Sequence, residues 1–382
     1  MTSPRGQQRL QERRRRRRAL ILGATGVVLV VALVAAGIAR FGGDDGGDDA
    51  GPVAAGSANE TSSTSTTVPA STAPTSAPVA EPSTTAPANA SLSALDTSRR
   101  YAVGTTTLTF VDSSRTTSAN GSFGGAPTRT LPTEFWYPAQ GVAGGDQQAD
   151  ATPDKDHGPY PLVLFAHGYA VTPDFYAPLL ARWAAAGYVV AAPVFPILSG
   201  SDGGASHVDY EKTFGDASFV ITQVLHLRKS DPLGGLVDPD RIAAAGHSDG
   251  EVVSFGVGFL ECCRDARVRS VLAMAGDLSN ANNAHTRDTG TPILHIMETN
   301  DEYDPYPHSI QWDRDNLTAP RWMVSLNASH VPPYTQPGDP AFELVSSITV
   351  AFFDGTLKGH PASLDDVSRE VNAQPNVGSI ER

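Results

Sequence analysis

Cysteine is nearly absent from this chain. There are 2 in 382 residues, adjacent to each other as Cys262 and Cys263, which excludes a disulfide-stapled fold. Neighbouring Cα atoms lie about 3.8 Å apart, below the usual disulfide range of about 4.4–6.8 Å. A bond between them needs a distorted peptide, and the sequence leaves open whether one forms. Paired metal-ligand spacing is also lacking. His157, His207, His226, His285, His295, His308 and His360 stand apart from one another, so no zinc is expected, and no cofactor either. There is no internal repeat, which excludes a solenoid. Basic residues are scarce after the start. Residues 1–18 hold eight Arg against one Glu, a charge of +7, so a total of −13 leaves −20 on the remainder. That balance excludes a nucleic-acid partner for the remainder.

Long apolar runs are missing too, with one exception. Residues 19–39 carry no charge. About twenty helical residues at about 1.5 Å each match the roughly 30 Å hydrocarbon layer of a bilayer. The arginines precede this run, and Asp44, Asp45, Asp48 and Asp49 follow it. The positive-inside rule then puts 1–18 in the cytoplasm and the rest outside. The expectation is a single-pass anchor at the cell membrane. The rival is secretion after signal cleavage, for which Ala35-Ala36-Gly37 offers small residues, but a signal's apolar core is shorter, about 7–15 residues. Residues 40–98 run from Gly and Asp into Ser, Thr, Pro and Ala, with nothing able to form a core. They read as a disordered linker reaching roughly 40 Å.

From residue 99 the texture is globular. Apolar or β-branched runs predict strands at Thr105–Val111, Thr133–Tyr137, Leu162–Ala166, Tyr188–Ala192, Ile242–Ala245, Arg269–Met274, Pro292–Met297 and Arg321–Leu326. Helical spacing falls between them, at Asp174–Ala185, Asp216–Leu227, Val252–Leu260 and Ala341–Lys358. Strands alternating with helices predict an α/β domain over 99–360, with a mostly parallel sheet covered on both faces. Residues 361–382 are polar and read as a trailing tail.

A parallel sheet gathers its working loops at the carboxyl ends of its strands. Past Ala166 stands His167-Gly168-Tyr169. Past Ala245 stands Gly246-His247-Ser248-Asp249-Gly250-Glu251. Past Met297 come Glu298, Asn300, Asp301, Glu302 and Asp304, and past Leu326 comes His330. Gly-x-Ser-x-Gly between a buried strand and an apolar helix describes a sharp turn that holds a serine hydroxyl out, with helix amides beside it. Alone, the pattern also fits a capping serine. Followed by a carboxylate and then a histidine, each just past a strand, it fits a nucleophile with its acid and base.

On these landmarks, together with the Asp238-Pro-Asp-Arg-Ile lead-in and Ala328-Ser329-His330, the domain resembles the α/β-hydrolases. Within them it is similar to dienelactone-hydrolase-like and bacterial platelet-activating-factor-acetylhydrolase-like lipases, and to actinobacterial cutinases and polyesterases. The resemblance implies Ser248 as nucleophile, His330 as base and Asp301 as the acid orienting it. It implies an oxyanion hole from the backbone N–H groups of Tyr169 and Asp249. Asp304 is the alternative acid, the acidic cluster fits no calcium-loop spacing, and His167 reads as a support for the oxyanion loop. Two departures stand out. Glu251 occupies a position where many relatives have a small residue, and reads as structural near a helix N-terminus. The loop from Ala275 to Pro292 lacks the aromatic residue of polyester-degrading relatives, which counts against polyester as the substrate. No large lid is expected, although the polar loop 197–212 is placed to cover part of the site.

The function implied is a membrane-anchored serine esterase or lipase acting on carboxylic esters outside the cell. Acyl transfer to a cell-envelope alcohol would use the same residues, and a catalytically dead binding scaffold would keep the fold alone. Acyl length, alcohol and oligomeric state are not set by the sequence.

Overall fold

The computed structural model describes Leu95, residues 97–276, Thr286, residues 290–303, Leu317 and residues 320–381. By internal contacts the chain divides between Glu81 and Pro82, and every described residue belongs to the second unit. Residues 1–18, the expected anchor at 19–39 and nearly all of the expected linker lie outside the described residues. Among the described residues no helix is long and apolar enough to cross a membrane.

Ten described strands form one sheet. They are β1 (Ala102–Asp112), β2 (Arg129–Ala139), β3 (Gln148–Ala149), β4 (Tyr160–Ala166), β5 (Val189–Pro193), β6 (Val237–His247), β7 (Val268–Met274), β8 (Ile293–Glu298), β9 (Arg321–Leu326) and β10 (Gly378–Glu381). The order across the sheet is β10-β9-β8-β7-β6-β4-β5-β2-β1-β3. From β9 to β5 every neighbouring pair is parallel. β2 and β1 continue antiparallel on one side, and β10 closes the other edge antiparallel to β9.

The helices are α1 (Ala177–Ala185), α2 (Lys212–Leu225), α3 (Asp249–Phe259), the single turn α4 (Pro332–Thr335), α5 (Pro340–Leu357) and α6 (Ser363–Asn372). Side chains alternate across each strand, so a strand buried on both sides must be apolar throughout. In β4, Leu162 and Leu164 join the core under α2 and α3, while Val163 and Phe165 join the core under α1, α5 and α6. This is the doubly covered sheet that the run Leu162–Ala166 predicts.

The chain's end departs from expectation. Instead of trailing off, residues 361–381 supply α6 and β10. Only Val367 and Val371 of α6 are buried, and their spacing of four puts them on one face of an otherwise polar helix. Leu364, partly buried against the same core, extends them to an apolar stripe of three on a short, otherwise polar helix. The ordered body also begins before residue 99. The Leu95 amide donates to the Lys358 carbonyl at 2.9 Å, and the Leu95 carbonyl accepts from His360 Nε2.

Candidate active site

The Ser248 turn is built by exclusion of side chains. A Cβ on Gly246 would lie 1.9 Å from the Gly250 carbonyl oxygen, and one on Gly250 would lie 2.1 Å from that of Ala166. Only glycine lets β6, α3 and β4 approach this closely. Ser248 itself sits at φ 57° and ψ −127°, a conformation that a non-glycine residue holds only when its surroundings force it. The surroundings do so here, because its amide donates to Met274 O at 2.8 Å and its carbonyl accepts from Glu251 N at 2.8 Å. His247 before it is buried, and Ser248 is the first residue after the strand to reach solvent.

On one side lies the end of β4. His167 is fully buried. Its Nδ1 donates to Gly168 O at 2.8 Å and its Nε2 accepts from Phe195 N at 3.0 Å, which fixes one neutral tautomer. Burial pushes its pKa down to about 4, so it stays neutral and braces the loop. Its expected supporting place is the observed one.

On the other side lies His330. Its Nδ1 is 2.6 Å from Asp301 Oδ2, and the Asp301 carboxylate is fully buried. Asp301 Oδ1 accepts from the Tyr303 amide at 2.7 Å. Glu302 is exposed, and Asp304 lies outside the described residues. A chain of hydrogen bonds joins the two sides. The Gly168 amide donates to the Tyr176 hydroxyl at 3.3 Å, and that hydroxyl donates to His247 Nδ1 at 2.9 Å. His247 Nε2 in turn donates to the His330 carbonyl at 3.0 Å. Burial, then the neighbouring His330, keeps His247 well below its ordinary pKa, as an accepting Nδ1 requires. Ser248, Tyr169 and His330 are thus flanked by three linked neighbours, Gly168, Tyr176 and His247, and the two imidazole rings lie 4.6 Å apart.

The loop 197–212 closes a third side and its role is larger than the sequence suggests. Tyr169 Oη donates to Ala205 O at 2.7 Å, and the Tyr169 ring stacks on His207 at 4.7 Å. His207 Nε2 meets Asp249 Oδ2 at 2.5 Å, and Tyr210 Oη donates to the Asp249 carbonyl. The hydrogen bond to Asp249 raises the pKa of His207, against a smaller opposing effect of burial. Asn120 Nδ2 holds the loop from behind through Asp202 O at 2.8 Å and Gly204 O at 2.6 Å. Nothing in the spacing of His207 or Tyr210 marks them as neighbours of Asp249, because the contact depends on how a glycine-rich loop folds back.

Beneath the site lies a second group of buried polar side chains. Glu251 Oε2 accepts from Gly276 N at 2.6 Å, and Glu251 Oε1 is 3.1 Å from His295 Nε2. All these side chains are fully buried, so the structural reading of Glu251 holds and a direct contact with solvent-borne substrate does not. Tyr334 Oη donates to Glu298 Oε1. At the far end of α3, Cys262 and Cys263 are bonded to each other, with Cα atoms 3.8 Å apart.

The sheet order, the strand-end turn and the covering helices are those of an α/β-hydrolase fold. The Chlorophyllase family model matches residues 150–276, about a third of the chain. This stretch runs from before β4 past the Ser248 turn. Among solved structures, the chain is similar to a ferulic acid esterase from Streptomyces cinnamoneus, with a TM-score of 0.56 and 22% identity. That match covers 75% of this chain and 99% of the other. Comparison with curated proteins finds no match. The structural likeness shows the fold, and the family match over a third of the chain is consistent with an esterase-type α/β-hydrolase relationship.

Proposed function

We propose that this α/β-hydrolase-fold chain cleaves carboxylic esters through an acyl-enzyme on Ser248. His330 takes the proton from the Ser248 hydroxyl as Oγ bonds to the ester carbonyl carbon. The carbon–oxygen bond to the alcohol then breaks, and His330 passes the proton to that alcohol. Water repeats the sequence on the acyl-serine and releases the acid. Asp301 holds the imidazole in the tautomer that accepts at Nε2 and stabilises the imidazolium. The amides of Tyr169 and Asp249 receive the oxyanion, each such donor being worth about 3–4 kcal/mol of barrier.

The observation that carries this reading is the 2.6 Å pair of His330 and Asp301, tied through the bond of His247 Nε2 to the His330 carbonyl to the residue that precedes a serine held at φ 57°. A buried histidine–carboxylate pair is costly to keep for stability alone, which supports a chemical role for it together with the forced, solvent-reaching serine. The test is hydrolysis of p-nitrophenyl esters of graded chain length, with feruloyl esters included because of the structural neighbour. Ser248→Ala should lose activity by about 10⁴-fold or more, and wild type should label with a fluorophosphonate. An unlabelled wild type with hydrolysis intact in Ser248→Ala would end the proposal.

We place the domain outside the cell, held to the membrane by residues 19–39. The support is the uncharged run flanked by arginines on one side and aspartates on the other. The native protein should sediment with membranes and keep its N-terminus, whereas a mature start near Ala39 would mean secretion.

A further inference from the structure

We propose that Glu298 is a second acid behind His330, silent while Asp301 is present and able to take over its role when Asp301 is removed. This rests on the acyl-enzyme reading above.

The geometry is that of two acids at one base. A carboxylate oxygen of Glu298, one of Asp301 and a ring nitrogen of His330 all lie within 4.8 Å of one another. Glu298 is the last residue of β8 and is fully buried. Its Oε1 accepts from Tyr334, while its buried Oε2 has no hydrogen-bond partner among the described residues. A polar oxygen left bare in a protein interior is costly, and here it stands beside a working imidazole.

Two buried carboxylates sharing one site disfavour double ionisation, which favours a proton on one of them. The assignment follows from what each one faces. Asp301 has the His330 Nδ1 at 2.6 Å and the Tyr303 amide at 2.7 Å, both able to donate. Glu298 has the Tyr334 hydroxyl from α4, and it faces the Asp301 carboxylate and Glu251 of α3. Burial raises its pKa well above the ordinary 4.5, Tyr334 works against that, and Asp301 and Glu251 add to it. Glu298 is therefore the protonated member. Removing the Asp301 carboxylate removes one of the repulsions that keep it neutral. It also opens the space through which a rotated Glu298 side chain reaches the imidazole.

The test is a double-mutant cycle on kcat for ester hydrolysis, using the full chain, with thermal midpoints to confirm folding. Loss of the orienting acid alone ordinarily costs about 10⁴-fold. Asp301→Ala is expected to retain more, within about 10²-fold of wild type, and Asp301→Ala/Glu298→Gln to fall at least tenfold further. The same Glu298→Gln change in the presence of Asp301 should cost at least ten times less than it does in Asp301→Ala. The Asp301→Ala protein should also show a new acidic limb in its kcat–pH profile that the double variant lacks, because Glu298 must then ionise to serve. Equal activities of Asp301→Ala and the double variant, or a missing limb, would overturn the proposal. If Asp301→Ala fails to fold, Asp301→Ser, which also vacates the carboxylate's place, carries the same comparison. Failure of wild type to label with a fluorophosphonate marks the different outcome in which the triad itself is wrong.

Discussion

Two clusters of buried charge lie in this domain, and they are composed differently. In the first, Arg129 is 1% exposed. Its guanidinium bonds both oxygens of Asp216 and one of Asp209. Arg115 meets Asp216 at 2.9 Å and Asp112 at 2.6 Å, and Lys212 meets Asp209 at 2.8 Å. Each acid there faces a permanent cation. In the second cluster, among the described residues, Glu251 and Asp301 meet the imidazoles of His295 and His330, and Glu298 meets the hydroxyl of Tyr334. Balanced charge makes a fixed anchor, and this one fastens the root of the 197–212 loop to β2 and α2. Unbalanced charge leaves protons to be shared, which is what acid–base chemistry uses. The two clusters should therefore fail in different ways.

The largest effect should come from His330→Ala. It should cut kcat by about 10⁴-fold or more, measured on the protein still folded, since nucleophile and base act as a unit. A kcat within tenfold of wild type would mean that the second cluster is structural like the first. Arg129→Met should do the reverse. Removing one partner of a buried ion network typically costs about 3–5 kcal/mol, so denaturant unfolding should shift strongly. Turnover of the protein still folded should be largely kept. Activity falling with no loss of stability would break the distinction.

Acid and alkali should separate one acid of each cluster, Asp209 and Glu298, with opposite signs, while burial raises Asp216 of the first cluster in the same direction as Glu298. Asp209 is pulled below its ordinary 3.8, because Lys212 and Arg129 outweigh the burial that would raise it. Its contribution to stability is complete above that ordinary value and is lost as pH falls through its lower folded value. Glu298 is raised above 4.5, so its contribution is complete below pH 4.5 and is lost as pH rises through the folded value. Comparing Glu298→Gln with wild type by thermal melts should therefore show the variant gaining relative stability as pH rises. A difference independent of pH would mean that Glu298 is not the protonated acid.

A smaller effect, on binding, should appear at His207. Its raised pKa means the contact with Asp249 is complete below the ordinary 6.5 and weakens as pH rises through the folded value. The side chain is 57% exposed, so solvent screening keeps the energy small. His207→Gln should raise KM severalfold at pH 6 and remove most of the alkaline rise in KM that wild type shows. A KM equally pH-dependent in both proteins would free the loop from this pair.

The balanced cluster was invisible in the sequence and the unbalanced one was partly visible, for a physical reason. Ser248, Asp301 and His330 each follow an apolar strand, and the parallel sheet delivers strand ends to one edge whatever the loops do. Arg129, Asp209 and Asp216 carry no such marker, because their meeting depends on how 113–128 and 197–212 fold back. Glu298 stands in the sequence as one acid among several, since burial of a strand's last residue depends on what covers it, here Tyr334. The strands β4 to β9 were legible for the same reason as the triad, their continuous apolar runs. The edge strand β10 and the helix α6 were not, because β10 is four residues long and the stripe of Leu364, Val367 and Val371 is short within a polar segment.

The smallest effect should lie outside both clusters, at the bonded pair Cys262 and Cys263. A cross-link stabilises mainly by closing a loop in the unfolded chain, and the gain grows with loop length. Between neighbours there is no intervening chain to restrict. The helix end is already held by Cys263 N and Arg264 N donating to Leu260 O at 3.0 and 2.8 Å. Changing both cysteines to serine should therefore move the thermal midpoint by less than about 2 °C and leave ester hydrolysis at its wild-type rate. The charge of Arg129, which spans three segments of chain, should outweigh this covalent bond in stability. If the serine variant lost more than the Arg129→Met variant, the ordering from buried charge to covalent link would be reversed.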